Sequence, residues 1–195
     1  MTLFKRGNGH HQPAIEHAVI THIGRDHEDF QLGKPPSSMN RDEMFVIHYD
    51  PVWRDRSDFI INAALPEKDS PRRFEQLFAK QIGDDRFEVC CIPFFLYDIA
   101  LGDVVATSSK GDRNYVLEKV IEPSGRYVFR VWFGETFHPR SETAQALKGL
   151  GALIERSSRN LLAVDAIEEK HAQLVADFLA GREKAGQFVY ETGRS

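Results

Sequence analysis

A chain of 195 residues, 42% hydrophobic and 28% charged, is long enough to remove roughly 70% of its unfolded surface from water as one folded body. Its 25 basic and 29 acidic side chains leave a formal charge of −4, which weighs against a surface built mainly to neutralise phosphates. The only cysteines, Cys90 and Cys91, are adjacent and on a strand would point to opposite faces, which disfavours an internal disulfide and favours a reducing compartment.

Residues 1–40 differ in character from the rest. His10, His11, His17, His22 and His27 gather there, and Gly33 to Asn40 is a Pro, Ser and Gly stretch of linker type. The expectation is a partly disordered extension in which Ala14 to Ile23 forms either a short strand or a short helix. The start lacks the apolar centre of a secretory signal and no stretch approaches a membrane span, so a soluble, cytoplasmic protein is expected.

From Met44 the pattern is mostly β. Met44 to His48 and Phe59 to Ala64 are short apolar runs, closed by Asp50-Pro51 and Pro66. Phe74 to Ile82 and Arg86 to Ile92 flank Gly83-Asp84-Asp85, a hairpin signature that sets Phe87, Val89 and Cys91 on one face. The run Ile92 to Val105 then makes an apolar corner with Pro93 and a Gly102-Asp103 turn into a β-branched strand. Strands over Val104 to Thr107, Tyr115 to Ile121 and Tyr127 to Phe133 follow.

After Gly134 the period lengthens to about 3.6. Ser141 is placed to cap a helix carrying Ala144, Leu147, Leu150 and Ile154 on one stripe, with Gly149 and Gly151 allowing close packing. Asn160 to Ala166 reads as a buried strand. Glu168 to Leu179 reads as a helix burying Leu174, Val175, Phe178 and Leu179, and Gln187 to Glu191 as a last strand, with Gly181 and Gly186 at stops. The fold class expected is α+β: an N-terminal antiparallel sheet or small barrel over residues 41–134, then a split β-α-β-like sheet with two helices on one face over residues 135–195, packed on the first.

Several segments in order, Glu75-Gln-Leu-Phe, the Phe87 strand, Ile92-Pro93-Phe94-Phe95, Gly102-Asp103-Val104-Val105, Glu122-Pro-Ser124-Gly125-Arg126 and Leu162-Ala-Val-Asp165, resemble the bacterial family called domain of unknown function 4265. Gly181-Arg-Glu-Lys-Ala-Gly186 and Phe188-Val-Tyr190-Glu191-Thr-Gly193 resemble its closing segment, so the similarity runs over residues 57–193. Members commonly carry Trp at the position of Phe78, Asp-Asn at Cys90-Cys91 and His at Arg126, so a role for that His or Asn does not transfer. The resemblance implies no established activity, cofactor or catalytic residue.

The five early histidines lack a metal-motif spacing, so no metal and no cofactor are expected. Asp103, with Asp98 beside the Gly102 turn, and Asp165 are candidate acid and base groups if the halves bring them together, against turn and helix-cap duty as the plainer roles. His138, before the first helix, and His171 are candidates for a cleft. A nucleophilic cysteine is set against inert packing beside Val89 and Ile92. Tyr97, Arg126, Arg130 and Trp132 are the candidate binding residues: exposed together they would offer rings and guanidinium groups to a ligand, and buried they would be core.

The leading expectation is a noncatalytic protein-binding module, of toxin-immunity or regulatory type, with another protein as partner. A hydrolase or transferase with an acid and histidine cleft between the halves is the alternative. A nucleic-acid-binding sheet face is a third reading, lowered by the charge balance.

Overall fold

The computed structural model of the chain describes residues 43–66, 72–111, 113–134 and 140–193. The expectations for residues 1–40, including the histidine-rich stretch, and for His138 lie outside the described residues.

Short β-rich runs separated by Pro and Gly turns build the first sheet. Its strands are β1 (Glu43–Ile47), β2 (Phe59–Ala64), β3 (Arg72–Gln81), β4 (Arg86–Val89), β5 (Val104–Lys110) and β6 (Arg113–Glu122). Their order is β1-β3-β2-β6-β5-β4, and β4 also pairs β3, so the pairings from β3 round to β4 close into a ring. The length of β3 permits this. Residues Arg72 to Gln76 pair β1, and Ala79 to Gln81 pair β4. The expectation of an antiparallel sheet needs correction, because β1 runs parallel to β3 and β2 parallel to β6. The strand after β1 lies beyond β3 rather than beside β1, so the chain crosses over instead of turning back as a hairpin.

Alternation fills the space this sheet encloses. Ile61 and Ala63 of β2, Leu77 and Ala79 of β3, Phe87 and Val89 of β4 and Val105 of β5 are buried in one cluster with Ile92, Phe94, Leu96 and Leu101 of the corner. Each large side chain so placed contributes about 1.5–3 kcal/mol. The corner leaves the ladder after Val89, one residue short of the cysteines.

The second sheet comprises β7 (Tyr127–Trp132), β8 (Leu153–Arg156), β9 (Leu161–Ala166) and β10 (Val189–Thr192) in the order β10-β7-β9-β8, with every pair antiparallel. Helix α1 (Arg140–Gly149) lies between β7 and β8, and α2 (Glu169–Lys184) between β9 and β10. Phe129, Val131, Leu162 and Val164 cluster with Leu147 of α1 and with Val175 and Leu179 of α2, so both helices cover one face. Val128, Trp132, Leu161 and Ala163 join the first sheet's core instead. Strand β9 is therefore buried on both sides, which explains its unbroken apolar run. Strand β7 pairs here although it precedes residue 135, so the chain changes sheet between β6 and β7.

Several local expectations are corrected. Helix α1 stops at Gly149, Gly151 turns the chain at φ +90, and Ile154 lies on the unforeseen strand β8 rather than on a helical stripe. Ser141 is the second residue of α1, not its cap. Nothing lies within 4 Å of a side chain imagined at Gly149, so that glycine admits no neighbour, whereas one at Gly151 would meet His171 at 3.8 Å. Helix α2 continues through Gly181 and ends before Gly186, and Leu174, expected in the core, is 49% exposed because the buried stripe runs through Ala172, Val175 and Leu179.

Candidate functional site

The densest gathering of reactive groups lies where β8 meets the corner after β4. Alternation along β1 puts His48 in phase with Val46, along β3 puts Glu75 in phase with Leu77 and Ala79, and along β8 puts Glu155 on the face that β9 turns to the first sheet. All three side chains are buried, His48 to 1% exposure.

The imidazole stands between the carboxylates. Its Nδ1 lies 2.6 Å from Glu155 Oε2 and its Nε2 3.0 Å from Glu75 Oε1. An ionised carboxylate only accepts, so two such partners require an N–H at each ring nitrogen, which is the imidazolium. Burial opposes that charge, but the Cys91 thiol, Glu155 and Glu75 together outweigh it and raise the His48 pKa well above 6.5. Phe94 stacks on the ring at 4.1 Å between centroids and 9° between planes, offering its π-face to the cation.

Each carboxylate also satisfies backbone. Glu155 Oε1 accepts from Val52 at 3.0 Å and from Ile92 at 2.8 Å, while Glu75 accepts from Phe94 at 2.6 Å through Oε1 and from Phe95 at 3.0 Å through Oε2. The Ile92, Phe94 and Phe95 amides lie beyond the end of β4, and Pro93 between them has no N–H to place. Four amide dipoles and one imidazolium thus surround two buried carboxylates. Cys91, buried beside His48, completes the group. Burial pushes its pKa up, and the neighbouring His48 acts in the opposite sense. Cys90, also a buried free thiol, is pushed up to about 12 by burial and by Glu88.

The expected site residues fall elsewhere and apart. Asp103 is buried and accepts from Ala100 at 2.8 Å and Ser124 at 2.6 Å, tying the Gly102 turn to the β6–β7 connection. Asp165 is buried in β9 and takes a bidentate bond from Arg126 through Nε and the guanidinium Nη2. Burial raises the Asp165 pKa and Arg126 counters it. Asp165 does not cap α2: the α2 N-cap is Glu168, and His171 Nδ1 accepts from the Ile167 N–H at 3.1 Å. The two acids therefore pin one turn from opposite ends, Asp103 through Ser124 and Asp165 through Arg126.

Arg130 is buried. It binds Glu191 at 2.9 Å and the Leu96 carbonyl, and its guanidinium sits 4.6 Å from the Tyr97 ring centroid. Tyr97 is 37% exposed and donates its hydroxyl to Glu191 at 2.9 Å, whereas Trp132 is 8% exposed and part of the core. Ring and guanidinium groups thus clamp β10 to the corner and form no shared outer face. Asp98 is exposed, with its backbone N–H bonded to Gly193.

Sequence reasoning singled out neither His48 nor Glu155, and used Glu75 only within a family segment. The legible signal was phase: His48 follows Val46 by two residues, and Glu75 precedes Leu77 by two, so both carry a polar group at an inward position. Glu155 gave no such signal while its segment read as a helix. No set of three His, Cys, Asp or Glu side chains among the described residues is arranged to hold a metal ion, and no described helix is long and apolar enough to cross a membrane.

No curated protein matches this chain. Among solved structures it is similar to a hypothetical protein from Neisseria gonorrhoeae, with a TM-score of 0.58 and 21% identity over 68% of this chain and 91% of that one. That likeness is one of fold. The family model described as "Domain of unknown function (DUF4265)" matches residues 75–190, more than half of the sequence, and this chain belongs to that family.

Proposed function

We propose that this protein is a noncatalytic protein-binding module of toxin-immunity or regulatory type, working in the cytoplasm, with another protein as its ligand. One observation carries the reading: the acids, the central histidine and the thiols that resemble catalytic equipment are turned inward, where their bonds go to backbone and to one another. On the outside, Ile60, Ile82, Ile167 and Leu174 are large apolar side chains left exposed. The second half reads as a split β-α-β layer, from its strand order and the two helices on one face. The test is co-purification with the product of a neighbouring gene, followed by calorimetry of the purified pair. A defined stoichiometric complex supports the reading; no association in either measurement removes it.

The hydrolase or transferase reading draws on a different fact. Cys91, His48 and Glu155 are the residue types of a nucleophile, a base and its orienting acid. It requires the corner to open, since all three are buried. Labelling of native protein by a thiol-directed acylating probe, lost in His48→Gln, would favour it over binding.

A further inference from the structure

We propose that His48 is a proton-operated bolt between the two sheets: protonated at both ring nitrogens it draws Glu75 and Glu155 together, and loss of one proton releases β8 from the corner at residues 92–95. The geometry makes this a connection between halves rather than a local contact. Glu75 belongs to β3 of the first sheet and Glu155 to β8 of the second. Glu155 reaches out of its own sheet to hold the Val52 and Ile92 amides, and Glu75 holds those of Phe94 and Phe95. The imidazolium is the cation shared by both.

A neutral ring has one N–H and therefore serves one carboxylate. The other is then left as a buried anion facing a lone pair, with only its amide bonds to offset the desolvation. The titratable groups that face the imidazole are Glu75 from β3, Glu155 from β8 and Cys91 from the corner. Arg126 occupies Asp165, the next acid along the sheet, so no second cation replaces the lost one there. On its own segment Asp50 is exposed to solvent.

The direction follows from linkage. A group whose folded pKa lies above its unfolded value stabilises the fold fully below the unfolded value, near 6.5 for His48, and loses that contribution as pH rises through the folded one. Between those two points the unfolding constant rises up to about tenfold per pH unit.

Residue-resolved NMR titration of the His48 ring in the full chain, paired with urea unfolding across the same pH series, tests the bolt. The expected result is a His48 midpoint above 6.5, wild-type stability that falls between 6.5 and that midpoint, and a flat response in His48→Gln. Cys91→Ser keeps the fall of stability with pH but lowers the ring's midpoint, because Cys91 is one of the groups that raise it. Should His48→Gln fail to fold, Glu155→Gln lowers the ring's midpoint relative to wild type. A midpoint at or below 6.5, an unchanged slope in His48→Gln, or an unmoved midpoint in Glu155→Gln overturns the proposal.

Discussion

Replacing Glu155 by alanine asks how much one carboxylate holds. Its oxygens take the imidazole at 2.6 Å, the Ile92 amide at 2.8 Å and the Val52 amide at 3.0 Å. Truncation strands two buried N–H groups, at about 1–3 kcal/mol each. It also removes one partner of a buried ion pair, which costs about 3–5 kcal/mol. These costs overlap, because Glu75 still faces the imidazolium and water can enter the space left and bond the amides. The expected loss is about 4–6 kcal/mol, comparable with the whole net stability of a small domain. Glu155→Gln keeps the shape and one acceptor oxygen but no charge, so it loses roughly half as much. Urea unfolding at about pH 6, where the imidazolium is present in both states to a large degree, reads both variants through the fluorescence of Trp53 and Trp132. A loss below about 1 kcal/mol for the alanine variant, or equal losses for the two, would refute the reasoning.

Arg126→Ala leaves the Asp165 carboxylate buried without its bidentate partner and should cost about 3 kcal/mol, read as a lowered Tm; Asp165→Asn should cost less, since it retires the charge together with the pairing. Neither cysteine should react with a disulfide reagent in the native state, and both should react after unfolding, with rapid native labelling the contrary result. Leu174→Ser should change stability by less than about 0.5 kcal/mol, whereas Leu179→Ala, on the covered face of the same helix, should lose about 2–5 kcal/mol in the same denaturation assay.

Much of the frame was legible because it depends on local signals. The hairpin through Gly83-Asp84-Asp85 and the run Phe59 to Ala64 were marked by turn residues and β-branched or aromatic side chains, and both lie where those signals put them. The α1–β8 segment was misread for a physical reason. Leu147, Leu150 and Ile154 fit a 3.6-residue period, but Gly149 and Gly151 cut the helix and hand Ile154 to a strand, a choice settled by tertiary pairing with Val164. Periodicity alone places Leu174 in the core, but the helix covers its sheet with Ala172, Val175 and Leu179, joined by Ala176 and Phe178. The His48 cluster was less visible still. Its members are separated by 27 and 107 positions along the chain, and no local pattern links such residues until the sheets are stacked.

The passage from β6 to β7 is four residues long and fastened from both ends, by Asp103 at Ser124 and by Asp165 at Arg126. Two copies of a protein trade equivalent parts most readily where a loose connector can straighten and reach across to the other molecule. Here straightening would first take the Ser124 amide from Asp103 and the Arg126 guanidinium from Asp165, a cost that opposes such an exchange.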